Sequence, residues 1–119
     1  PHVIEPVEML TDENGNEMLV YYSIGNFVNG TSGTGDGTTN RMVGGIADVT
    51  VSLDETGKAY IESYDVIPIV CHIDEKTEYT VYYLSDYTEE LAKENHIVSQ
   101  DSNFSLEACK NLVNKVWNK

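Results

Sequence analysis

The sequence predicts an α+β domain, with antiparallel strands first and two helices last. Three observations lead there. Apolar runs at Val7 to Leu10 and Met18 to Tyr22 flank the turn-prone stretch Thr11 to Asn16. Ala47, Val49, Val51 and Leu53 alternate with polar or small residues up to a second turn, Asp54-Glu55-Thr56-Gly57. Near the C-terminus Leu106, Cys109, Leu112, Val113 and Val116 recur at steps of three and four, the mark of a helix with one apolar face.

Each element follows from local chemistry. Asn14-Gly15 supplies positive φ at low cost, so the first two runs are expected to form a hairpin. Leu19-Val20-Tyr21-Tyr22 is almost continuously apolar and aromatic, which predicts a strand covered on both faces. Asn29 to Asn40 holds four glycines, four threonines, a serine and a single charge; too little of it is apolar to order it, and a mobile loop is expected. The stretch is not a phosphate cradle of the Gly-x-x-x-x-Gly-Lys type. Ile46 to Leu53 and Ala59 to Val66 read as a second hairpin with one wet face. Pro68 lacks an amide hydrogen and is expected to interrupt the ladder, leaving Ile69 to Ile73 as a separate strand or edge segment, with another at Thr80 to Leu84. Asp86 and Glu89 have capping-box spacing for a short helix to about Glu94. Ser102 or Asn103 caps the second helix, whose C-terminal end carries Lys115 and Lys119.

The 119 residues suit one domain, long enough to bury roughly two-thirds of the extended surface. Seven basic residues stand against twenty acidic ones, a formal charge of -13, which opposes binding to nucleic acid or anionic lipid. Residues 1–119 form one segment, with 96–119 a terminal helical extension. Cys71 and Cys109 allow one bridge or two buried thiols, and the redox compartment stays open. Asn29-Gly30-Thr31 and Asn103-Phe104-Ser105 match a glycosylation pattern too common to settle it.

Few residues carry chemistry. His2 lies before Glu5 and Glu8, and His72 before Asp74 and Glu75, but His-Glu-x-x-His spacing is absent and neither cysteine has a near neighbour of its kind. Asp48 stands in an otherwise apolar strand. Either it points inward against Arg41, the chain's only arginine, or it faces water at a strand end. Ser23 lacks the Gly-x-Ser-x-Gly elbow of a serine hydrolase. Asn26 is placed to hold backbone where strand passes into loop, or to donate to a ligand.

Pro1-His2-Val3-Ile4-Glu5-Pro6-Val7-Glu8, then Leu19 to Phe27 with its Ser23-Ile24-Gly25-Asn26-Phe27 end, then Gly44-Gly45-Ile46-Ala47-Asp48, occur in an order that resembles the C-terminal portion of the bacterial capsule synthesis CapA family, the poly-γ-glutamate biosynthesis family. Tyr82 to Tyr87 resembles a later family segment. The resemblance implies a metallophosphoesterase-like parent with a calcineurin-like four-layer α/β sandwich, of which this chain is the closing part. It implies that Pro1-His2 matches the last two positions of a Gly-x-His-Pro-His metal motif, with His2 a ligand to a divalent metal (Mn, Zn or Fe) and the other ligands upstream. Asn26 and Arg41 are the implied substrate-binding residues, Asn26 in a characteristic segment near the site and Arg41 approaching a bound anion. By the same resemblance the parent is either a metal-dependent phosphoesterase or peptide-type hydrolase acting on an anionic substrate, or a non-catalytic polymer-binding or assembly component. The parent is expected at the extracytoplasmic face of the bacterial membrane. The segment alone is expected to be soluble, to bind no metal tightly and to be inactive. Its expected partners are the upstream part of the same domain and an anionic polymer or phosphorylated small molecule. Open strand edges favour self-association.

Overall fold

The computed structural model describes residues 2–75 and 78–119, which form two antiparallel sheets and two α-helices. Strands β1 (Val7–Thr11) and β2 (Glu17–Tyr21) make the first hairpin, with Val7 opposite Tyr21 and Thr11 opposite Glu17. The Asp12 carboxylate closes its turn by accepting from the amides of Asn14 and Asn16 and from the Asn16 side chain, at 2.8–2.9 Å. Gly15 takes the positive φ. Strand β2 is not covered on both faces: Leu19 to Tyr21 are half-buried, whereas Met18 and Tyr22 are exposed.

Strands β3 (Val43–Leu53), β4 (Ala59–Asp74) and β5 (Glu78–Tyr83) form the second sheet in that order. Strand β4 runs unbroken through Pro68, contrary to the expected interruption. The reason lies in the pairing. The Gly45 amide is used on the outer side of β3, where it donates to the Ile24 carbonyl at 2.8 Å. The Gly45–Pro68 pair therefore exchanges no ladder bond, and the proline nitrogen faces away from β3. On that side pairing with β5 begins only at Ile69, opposite Tyr83, so no donor is missed.

The hairpin of β3 and β4 projects far beyond β5. Its pairs Ala47–Val66, Val49–Tyr64, Val51–Ile61 and Leu53–Ala59 share one face, and a bulge at Thr50/Val51 leaves Glu62 unpaired. Val49, Val51, Leu53 and Tyr64 are exposed, so the face expected to be dry is largely open at its outer end. The molecule measures 55 × 23 × 22 Å, and its radius of gyration, 16.9 Å, exceeds the roughly 13.5 Å of a compact domain this long.

Packing concentrates at the other end. Met42, Val43, Val70, Cys71 and Ile73 meet Leu84, Tyr87, Ala92, Ile97, Phe104, Cys109 and Val113, so residues 96–119 supply part of the core. Helix α1 (Glu89–Glu94) is capped by Thr88, whose hydroxyl accepts from the Leu91 amide at 3.2 Å; Asp86 does not cap it, because Leu84–Asp86 forms a separate 3₁₀ turn. Helix α2 (Leu106–Trp117) is capped by Ser105, which accepts from Ala108 at 3.0 Å, rather than by Ser102 or Asn103. Asp101 takes the Asn103 amide into the turn ahead of it. Trp117 closes the unit by donating from Nε1 to the Glu5 carbonyl at 2.8 Å. Among the described residues no helix is long and apolar enough to cross a membrane.

Candidate functional site

The segment after β2 is stapled to the outer edge of β3. Ile24 bridges Ile4, Gly25 bridges Gly44, and the Gly45 amide donates to Ile24. Gly25 has φ +70°, and a Cβ there would lie 2.7 Å from the Val43 carbonyl oxygen, so only glycine fits. This turn drops the next side chain, Asn26, into a buried position.

Asn26 joins the two other residues singled out from the sequence. Its Nδ2 donates to the Arg41 carbonyl at 3.0 Å, and its Oδ1 lies 3.0 Å from His2 Nδ1. His2, Asn26 and Arg41, with Gly30, Thr31 and Ser32, line a polar cleft of about 190 Å³. Arg41 is exposed and donates from Nη1 to the Thr31 hydroxyl at 3.1 Å. Pro1, the other half of the motif match, lies outside the described residues.

The glycine-rich loop that forms one wall of the cleft is pinned, contrary to the expectation of a mobile segment. Gln100 donates from Nε2 to the carbonyls of Thr31 and Gly33, and its own carbonyl accepts from Gly35 at 2.8 Å. Buried Asp101 accepts from the Thr39 amide at 3.1 Å and hydroxyl at 2.7 Å. The Thr39 hydroxyl holds the Asp101 carboxyl below its ordinary pKa against the opposing effect of burial, helped by the Asn103 and Thr39 amides. These contacts span more than sixty residues of chain. Sequence reading missed both residues: Gln100 carries no local signal, and Asp101 resembles an ordinary helix-capping residue.

The other candidates lie elsewhere. Asp48 is exposed and faces Asp65 across the ladder, so it does not point inward; Arg41 turns instead to Thr31. Ser23 accepts from the Gly25 amide at 3.2 Å. His72 is buried and lies 2.8 Å from the Tyr87 hydroxyl through Nδ1. Burial lowers its pKa, and the charges of Asp74 and Glu94 oppose that shift. Asn95 completes the cluster, donating to Tyr87 and the Cys71 carbonyl while accepting from the amides of Ile73 and Ile97. Cys71 and Cys109 are both free and buried, and burial pushes the Cys109 thiol up to about 12, which makes it a poor nucleophile.

The described residues do not by themselves fit a resident metal. They contain no group of three His, Cys, Asp or Glu side chains arranged to hold one, and His2 is a single donor. The cleft can do something simpler: it sets a guanidinium beside an exposed imidazole and two hydroxyls, a combination suited to a small anion. Comparison with family models, curated proteins and solved structures finds no match to this chain.

Proposed function

We propose that this chain is the C-terminal part of a CapA-like capsule or poly-γ-glutamate biosynthesis protein, and that the His2, Asn26 and Arg41 cleft is one wall of its anion site. The observation that carries this reading is convergence. Three residues selected through the resemblance, well apart in sequence, line one cleft and are linked through Asn26. On this reading the remaining metal ligands come from upstream in a calcineurin-like sandwich, and no catalytic step is assigned to this chain alone. The parent's place is at the extracytoplasmic face of the membrane.

Calorimetric titration of the longer parent with Mn²⁺ or Zn²⁺ tests this directly. His2→Ala should weaken binding by at least about tenfold, since even partners outside the ligand shell cost that much when removed. Unchanged affinity would sink the ligand assignment. A tight stoichiometric metal site in the 119-residue chain would contradict the claim that the centre is incomplete here. The second reading, a non-catalytic polymer-binding component, predicts a parent that binds anionic polymer without stoichiometric metal.

A further inference from the structure

A notch opens on the edge of β4 where β5 ends at Tyr83, opposite Ile69. There the chain leaves the sheet through the 3₁₀ turn at Leu84. Ile67, Pro68, Leu84 and Val113 line a cleft of about 370 Å³, with Lys110 and Lys119 of the α2 end beside them. That volume falls in the range of small-molecule sites, roughly 300–1,000 Å³. The strand edge at this point offers no amide to an added strand. Pro68 has no N–H, and the Val66 amide already donates to the Asp65 carboxylate at 2.8 Å. An occupant must therefore bind by apolar contact and not by extending the sheet.

Charge decides what head group that occupant carries. The Lys119 ammonium lies 2.7 Å from Asp65, so its charge is already matched and its stem adds apolar surface to the cleft. Lys110 is exposed, and no described residue pairs with it. It is one of only seven basic residues in a chain of charge -13, yet among the described residues no Asp or Glu lines the cleft. We propose that this cleft binds a small amphipathic carboxylate, its apolar body against Ile67, Pro68, Leu84 and Val113 and its anionic head on the Lys110 ammonium. The site shares no residue with the cleft of His2, Asn26 and Arg41, so it goes beyond the function proposed above and stands or falls separately.

The test is an NMR titration of the whole 119-residue chain at neutral pH with octanoate, octan-1-ol and octylamine, which share one body and differ in head-group charge. Octanoate should shift the Leu84 and Val113 methyl signals and bind roughly two- to fivefold more tightly than either of the others, the worth of an exposed ion pair. The comparison is severe, because the acidic chain as a whole favours the cation. Equal affinity for all three, or tighter binding of octylamine, overturns the carboxylate proposal, and no binding of any removes the cleft as a site. Shifts of the same methyls with protein concentration alone would give the cleft to a second copy and overturn it too. Lys110→Glu changes an exposed side chain and should erase the preference for octanoate. Lys115→Glu makes the same change in net charge on the same helix, outside the cleft, and should leave the preference in place. Equal losses in both variants would trace the preference to net charge and overturn the assignment to Lys110.

Discussion

The two ends of the long sheet place their apolar residues to opposite effect. Where β4 pairs with β5, Val70, Cys71 and Ile73 are buried beneath the helices. Where the same strand runs on beside β3 alone, the facing apolar residues lie open: Val51 is 60% and Leu53 69% exposed. Val66 to Ile73 is almost continuously apolar, whereas the projecting half alternates apolar with polar residues. The apolar residues of either half are dry only where β5 and the later helices arrive to cover them. Stability therefore belongs to one end, and the other is a ribbon held mainly by its own ladder and a few latches, such as the Tyr21 hydroxyl donating to the Asp65 carbonyl at 2.6 Å.

The largest effect that can break this contrast is at Asn95. Its side chain is almost wholly buried and satisfies the amides of Ile73 and Ile97 as well as Cys71 and Tyr87. Asn95→Ala strands several buried polar groups, and urea unfolding should show a loss of about 3–4 kcal/mol, a large share of the roughly 5–15 kcal/mol that holds a domain together. A loss below about 1 kcal/mol would mean that the packed end does not depend on this cluster.

The next effect is a dependence on pH, and it lies at His72 in the packed end. His72 is buried against Tyr87 and its pKa is lowered by that burial, with Asp74 and Glu94 opposing. Tyr82 and Tyr87 flank the ring edge-on. The unfolded chain consequently binds more protons than the folded one between the lowered value and the ordinary 6.5. The contribution of His72 is complete above about pH 6.5 and is lost as the pH falls below it. Unfolding free energies measured across this window should rise with pH, and His72→Gln should flatten the slope. An unchanged slope in the variant would assign the pH dependence to other groups.

What was legible in the sequence follows the same division. Both hairpins and the two helices were within reach, because period and turn chemistry are local signals; that His2, Asn26 and Arg41 line one cleft is visible only in the structure. The passage of β4 through Pro68 was not, because it depends on which side of the strand lacks a partner at that one residue. The ordering of the glycine-rich loop was not, because Gln100 and Asp101 supply it from the other end of the chain. The same holds for the open face at Val51 and Leu53, since alternation reports a dry face without saying what dries it.

The open end should tolerate what the packed end does not. Leu53→Ser removes a mostly exposed side chain and should change stability by no more than about 0.5 kcal/mol in urea. Its effect should fall on association instead. The outer edges of the projecting ribbon and its apolar face favour contact between copies, so sedimentation of the wild type over a wide concentration range should show weak self-association, reduced by Val51→Lys. A monomer at every concentration would show that the acidic surface suffices to keep the ribbons apart.

The smallest effect lies at the boundary between the two ends. Asp48 and Asp65 face each other across the ladder, a like-charge pair that by itself weakens the sheet. Lys119 reaches over from beyond α2 to place its ammonium 2.7 Å from Asp65, and with the Val66 amide it holds that carboxyl below its ordinary pKa against a small desolvation effect. Both partners are partly or largely open to solvent, so the pair itself contributes about 0.2–1 kcal/mol. Lys119→Ala should cost that little at low ionic strength and less in high salt, where screening also relaxes the repulsion between the two aspartates. The double variant with Asp48→Asn should recover most of the loss, because removing one carboxylate leaves Asp65 with less to be compensated. If Asp48→Asn alone brings no gain in stability, Asp48 and Asp65 do not repel appreciably across the strand pair, and Lys119 acts as a latch for the C-terminus rather than as a counterion for the base of the ribbon.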